Sequence, residues 1–279
     1  EGGIAGYGTT IEVLDPQRGA EPRTFAQGAA LKGCDGVTLD SFNTVFATAL
    51  TAADVAQLTD KGALQKEYAG HSIEMPFGNV FAMQGKHYQA AYDFIADAKT
   101  GSILSLSYDR YGTGKVVQVA TGFAVNEHGP KGRLGPSGLQ YDKGEDVLYI
   151  LDGVDDTIVA FSHASDLLVK DEIIVKPGGK TFKCKYPKTT CASLVYSGAP
   201  LDAPEASALL PNGNLVVANT HGGDALVELT PGGRILDKKI VDRDKMPGIF
   251  GLAASGTSDT DTTLYFTDTN RSQLRRLER

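Results

Sequence analysis

The stretch Leu148-Tyr-Ile-Leu-Asp-Gly-Val-Asp-Asp-Thr-Ile-Val-Ala-Phe161 decides the fold. It reads as two short apolar strands around a polar turn, the pattern of an antiparallel hairpin. Three further segments repeat it: Tyr92–Leu106, Leu215–Leu229 and Leu264–Leu277. Each places an acid or amide where its first strand ends, at Asp97, Asp152, Asn219 and Asp268, with separations of 55, 67 and 49 residues. A weaker copy begins at Val45 and carries Thr48 at the same place, 49 residues before Asp97. Its Ala-rich continuation, Ala52 to Ala69, would pass for a helix on its own. The repeat overrides that reading, because self-similarity at a fixed period implies one supersecondary unit copied along the chain.

Each hairpin has a strand before it, in most copies led by glycine: Gly33-Cys-Asp-Gly-Val37, Pro76-Phe-Gly-Asn-Val80, Gly135-Pro-Ser-Gly-Leu139, Pro204-Glu-Ala-Ser-Ala208 and Gly248-Ile-Phe-Gly-Leu252. All copies but the last have a strand after it, at Leu64–Tyr68, Lys115–Val119, Asp171–Val175 and Ile235–Val241. Four strands of five or six residues with tight turns need roughly 40 to 50 residues. Four-stranded units repeated radially make a β-propeller. The N-terminal Thr10–Leu14 and Pro22–Ala26 read as two strands of one more unit, and the last copy lacks a final strand. The expectation is therefore an all-β protein: one six-bladed propeller over residues 1–279, with first and last blades incomplete.

Composition agrees and narrows the function classes. The chain has 33 Gly and 12 Pro in 279 residues, an excess that the repeated lead-ins and turns absorb. A net charge of −7 argues against a nucleic-acid binder. No apolar run approaches the roughly 18–20 residues of a transmembrane helix.

Between the third and fourth full copies lies an insertion, Lys176 to about Pro204. It holds Lys176, Lys180, Lys183, Lys185 and Lys188 with Phe182 and Tyr186 between them. Such a basic, aromatic hairpin on an acidic protein suits an anionic partner or a polysaccharide, although a lysine-solubilised loop has the same composition. Cys184 and Cys191 flank Pro187 and are expected to pair, which implies an oxidising compartment, extracellular or periplasmic. Cys34 has no evident partner and reads as a small, buried residue.

The phrases Gly135-Pro-Ser-Gly-Leu, Leu148-Tyr-Ile-Leu-Asp, Leu210-Pro-Asn-Gly-Asn-Leu-Val-Val-Ala-Asn and Leu229-Thr-Pro-Gly-Gly resemble NHL-repeat propellers and the related gluconolactonase-like (senescence-marker) propellers. The resemblance spans nearly the whole chain. It implies that ligands sit on the face formed by connections between blades and by the second-to-third-strand turns. On that mapping the candidate face comprises Asp35, His71, Asn79, Asn126, His128, Ser137, Asp152, Glu205, Asn219, His221, Phe250 and Asp268.

Two metal arrangements are conceivable there. Ca²⁺ at the tunnel mouth, as in lactonase-like relatives, would draw on the lead-in positions Asp35, Gly78, Ser137, Ala206 and Phe250, with Glu205 and Asn79 each one residue out of register. Only one of these five is a carboxylate, and a hard cation takes six to eight oxygens. Zn²⁺ on His71, His128 and His221 is the other arrangement. The strand-end Asp and Asn residues also have a purely structural use, accepting from backbone N–H groups in the following turn. No Gly-x-Ser-x-Gly elbow is present. The sequence thus points first to a propeller that binds a small molecule, polysaccharide or protein through its loop-rich face, and second to a metal-dependent hydrolase.

Overall fold

The computed structural model describes residues 8–15, 19–70, 72–82, 91–108, 114–126, 134–221, 223–243 and 246–278. Strands β1 (Thr10–Val13) and β2 (Arg23–Gln27) form an antiparallel pair. Four blades follow the four-strand plan. The first contains β3 (Cys34–Leu39), β4 (Val45–Ala49), β5 (Asp54–Leu58) and β6 (Leu64–Ala69). The second contains β7 (Pro76–Ala82), β8 (Ala91–Asp97), β9 (Ser102–Tyr108) and β10 (Gly114–Thr121). The third begins with β11 (Pro136–Asp142), β12 (Val147–Asp152) and β13 (Thr157–Ser162). After the short strands β14 (Ile173–Val175) and β15 (Phe182–Cys184), it is completed by β16 (Cys191–Ser197). The fourth is β17 (Pro204–Leu209), β18 (Leu215–Asn219), β19 (Ala225–Leu229) and β20 (Ile235–Ile240). A fifth has three strands, β21 (Leu252–Ser255), β22 (Thr263–Asp268) and β23 (Gln273–Glu278).

The propeller is thus as the repeat requires, but among the described residues the blade count is five, not six. Strands β1 and β2 pack Ile11, Phe25 and Ala26 onto Val45, Ala47 and Leu58 of the first blade, where a neighbouring blade would lie. They remain a two-stranded sheet, because among the described residues no ladder joins them to β21–β23. The Ala-rich stretch forms β5 and β6, as the repeat demands.

Burial explains the sequence pattern. Middle strands such as β4, β5 and β18 are buried at every residue, since each face meets a neighbouring blade or its own sheet's packing layer. The outer strands β6 and β20 are largely exposed and carry Lys and Glu or Asp, which blunts an open edge. The apolar core is accordingly a series of layers between blades. Phe46 and Val55 meet Ile95 and Leu104, and Phe94 and Ile103 meet Leu148 and Phe161. Leu151 and Ile158 meet Leu215 and Val217, and Val216 meets Phe266.

The insertion departs from the sequence expectation. Asp171–Val175 had the position of the third blade's outer strand, yet β14 pairs in parallel with β10 of the second blade, Ala120 opposite Ile173. Strand β15 then pairs antiparallel with β14. The third blade's true outer strand is β16, which registers Cys191 opposite Ser162. Apolar burial drives the exchange: Ile173 and Val175 drop into the layer between blades two and three, a place that a solvent-side outer strand does not offer.

Candidate axial site

Inner strands of four blades share one irregularity. Cys34, Pro76, Pro136 and Pro204 sit opposite Ala49, Asp97, Asp152 and Asn219, and in each the register then slips by one residue. Such a bulge re-aims the side chain beside it. The residues following those four are Asp35, Phe77, Ser137 and Glu205.

Close packing confirms their equivalence. A Cβ placed on Gly36 would lie 2.6 Å from the Phe77 carbonyl oxygen, one on Gly78 2.2 Å from that of Ser137, and one on Gly138 2.8 Å from that of Glu205. Each bulge glycine therefore abuts the bulge residue of the next blade, an approach only a residue without Cβ permits. This corrects the sequence register. Glu205, read as one residue out, stands in line with Asp35 and Ser137, whereas Gly78 and Ala206 fall one position further along.

The four side chains then diverge. Phe77 is buried against Ala98 and Leu134. Ser137 is buried, and its hydroxyl donates to the Pro204 carbonyl at 3.2 Å. Glu205 is 1% exposed, and neither carboxylate oxygen has a hydrogen-bond partner. Burial pushes its pKa up to about 8, and the charge of Asp35 adds to the rise. The Leu134 backbone and the Thr220 hydroxyl are near enough to pull the other way, yet neither reaches hydrogen-bond geometry to the carboxylate, and that hydroxyl's proton goes to the Ala203 carbonyl at 3.0 Å. Asp35 is likewise pushed up to about 7 by desolvation. It is enclosed by protein yet keeps some accessible surface. Asp35 and Glu205 come from the first and fourth blades, yet the charge of Asp35 reaches Glu205.

The remaining candidates scatter. The Asn79 amide donates to the Phe46 carbonyl at 3.1 Å and to Asp93 at 3.0 Å, which holds it in the seam between blades one and two. Asp97 accepts from the backbone N–H groups of Glu74, Met75, Lys99 and Thr100. Asp152 accepts from Val154 and Asp155 through one oxygen, and its other oxygen is buried without a partner. Burial pushes Asp152 up to about 7 against the lowering effect of the Asp155 backbone N–H, and the charge of Asp155 adds to the rise. Asn219 donates to the Pro200 carbonyl at 2.7 Å. Asp268 is engaged by Arg271 and Arg275. These strand-end groups act as turn and seam fasteners, the structural use open to them from the start.

Asn126 and Phe250 are half-buried in connections before β11 and β21. His221 is half-buried in the turn between β18 and β19, its backbone N–H donating to the Asp202 carbonyl. His71 and His128 lie outside the described residues. Among the described residues, no three His, Cys, Asp or Glu side chains converge as a metal-ligating group. The axial donors, two carboxylates and a hydroxyl already committed to a carbonyl, fall short of the six to eight oxygens of a Ca²⁺ cage.

Sequence reading missed several buried acids, Asp93 and Asp224 among them. Asp93 is fully buried and pushed up to about 7 by desolvation, against the lowering effect of Asn79. Asp224 is 1% exposed, with one oxygen unpartnered, and is pushed up to about 6 mainly by burial. Both lie in strands or turns whose period alone does not distinguish a buried acid from an exposed one.

No protein-family model and no curated protein matches the chain. Solved structures do. Nidogen, from a nidogen/laminin complex, is 14% identical over 97% of this chain and 90% of that one, with a TM-score of 0.61. The likeness shows a β-propeller fold, consistent with the resemblance to NHL and gluconolactonase-like propellers. A gluconolactonase from Xanthomonas campestris is 14% identical, covering 88% of this chain and 72% of its own, at a TM-score of 0.55. Virginiamycin B lyase from Staphylococcus aureus is 12% identical, covering 92% and 70%, at 0.54. This propeller fold carries both binding and catalytic proteins, so the site rather than the fold must argue function.

Proposed function

We propose that the protein is a ligand-binding propeller, one domain over residues 1–279 with its insertion at about 176–204. Its axial mouth takes a cationic or hydrogen-bond-donating group between Asp35 and Glu205. One observation carries this reading: Glu205 is buried with both oxygens unpartnered, although buried polar groups are almost always hydrogen-bonded. A donor from a ligand would relieve a desolvation cost already present in the folded chain. The nidogen likeness supports a binding role, and the Cys184–Cys191 disulfide supports an extracellular or periplasmic setting.

The test is calorimetric titration at pH 8 with Ca²⁺ and with a panel of small primary amines. Binding by either that Glu205→Gln and Asp35→Asn both weaken at least tenfold supports the reading. Binding that neither variant changes, or no binding by any probe, overturns it.

A second reading is a metal-dependent hydrolase of the lactonase kind. The shared register of Glu205 and Asp35 supports it, offering a second carboxylate. The short donor set opposes it. Lactone hydrolysis that depends on added Ca²⁺ or Zn²⁺ and is lost in Glu205→Gln would establish it; hydrolysis absent under both metals would remove it.

A further inference from the structure

The β14–β15 hairpin has two unlike sides. Its register sets Ile173 opposite Cys184 and Val175 opposite Phe182, and Ile173, Val175 and Phe182 pack into the layer between blades two and three. Alternation along a strand then turns Lys183 outward, opposite Ile174. Lys176, Lys180, Lys185 and Lys188 are exposed as well, and Tyr186 is 44% exposed.

The hairpin is held firmly from beneath. Strand β14 is bonded to β10 of the second blade, and the Cys184–Cys191 disulfide ties β15 to the third blade. The carboxylate of Glu172 is taken by the Thr190 hydroxyl and the Val169 N–H, so this nearest acid is turned away from the lysines. Asp155 is the acid whose field meets Lys180. No acidic residue lies between Ile173 and Leu201, in a chain of net charge −7. A fixed cationic strip on an otherwise acidic molecule is a local reversal of charge, and its rigidity lowers the ordering cost of binding.

We propose that this hairpin docks an anionic polysaccharide, one bearing carboxylate or sulfate groups along an extended chain. Lysines supply point charges without the fork geometry that selects single carboxylates or phosphates, which suits a repeating anionic polymer. Tyr186, beside Pro187 and with the Lys185 ammonium 5.6 Å from its ring centroid, offers a flat apolar surface between charges on which a sugar ring can lie. An acidic protein segment would use the charges but not that surface.

The experiment measures retention and affinity at low and at moderate salt for heparin, polygalacturonate, neutral dextran and polyglutamate. Heparin or polygalacturonate should bind and dextran should not. The triple variant Lys183→Ala/Lys185→Ala/Lys188→Ala should weaken polysaccharide binding at least tenfold with an unchanged circular dichroism spectrum. Tyr186→Ala should weaken polysaccharide binding severalfold and leave polyglutamate unaffected. The proposal is overturned if neither polysaccharide binds at low salt, or if the triple variant binds as the parent does. It is overturned in favour of an acidic protein partner if polyglutamate binds as tightly as the polysaccharides and Tyr186→Ala changes neither.

Discussion

Cys184 on β15 and Cys191 on β16 are disulfide-bonded with their Cα atoms 5.3 Å apart, and the two strands belong to different sheets. The bond closes a short chain loop but joins the extended second blade to the outer edge of the third. It therefore acts on the seam between blades as well as on the loop.

Reduction, or the double variant Cys184→Ser/Cys191→Ser, should destabilise the protein by about 2.5 kcal/mol on loop entropy alone. That corresponds to a fall in Tm of several degrees, read by scanning calorimetry with and without reductant. An unchanged Tm would mean that the β14–β10 pairing and Ile173 and Val175 hold the insertion unaided.

Stability should fall as pH rises from about 4.5 to 8. Asp35 and Glu205 have folded-state pKa values raised to about 7 and about 8, above the ordinary 3.8 and 4.5. Within that window the native state holds more protons than the unfolded chain, so raising the pH favours unfolding. Below it both states are protonated and the effect vanishes. Urea unfolding across this range should show the decline, and Glu205→Gln should flatten it. Asp93 and Asp152, raised to about 7 by burial, retain part of the slope. A variant with the parent's full pH dependence would contradict this origin.

Gly78→Ala should cost roughly 1–3 kcal/mol by forcing β7 away from β11, since its Cβ would meet the Ser137 carbonyl oxygen at 2.2 Å. Gly28→Ala is the control, with nothing within 4 Å of its added Cβ. Equal urea midpoints for the two variants would refute the close approach of the inner strands.

Arg275 donates to Asp268 and to the Val241 carbonyl, each at 2.9 Å, and its guanidinium lies 5.3 Å from the Phe266 ring centroid. Asp268 is fully buried while Arg275 is one-third exposed, so solvent screens part of the pair. Arg275→Ala should cost about 1–3 kcal/mol, because it leaves a buried carboxylate with Arg271 alone. Arg276→Ala removes an exposed partner of Glu278 and should cost a few tenths of a kcal/mol. Chemical denaturation of both separates the roles.

Propeller architecture was legible in the chain because strand periodicity and turn chemistry are local. Tyr149, Val217 and Phe266 announce buried middle strands, and Asp97, Asp152 and Asp268 announce the turns they close. The equivalence of Glu205 with Asp35 was also within reach, since Pro204 occupies the place of Pro76 and Pro136. It was missed because a bulge shifts side-chain direction without any change in composition.

What the amino-acid order determined by itself is the blade as a unit, together with the pairing of Cys184 with Cys191. Which edge β14 joined, how many blades formed, and which acids faced one another needed the assembled ring. Ile173 finds its apolar partners only where two blades meet. The charges of Asp35 and Glu205, 170 residues apart in the chain, interact only because the packing of successive blades brings the inner strands of the first and fourth within reach of one another's field.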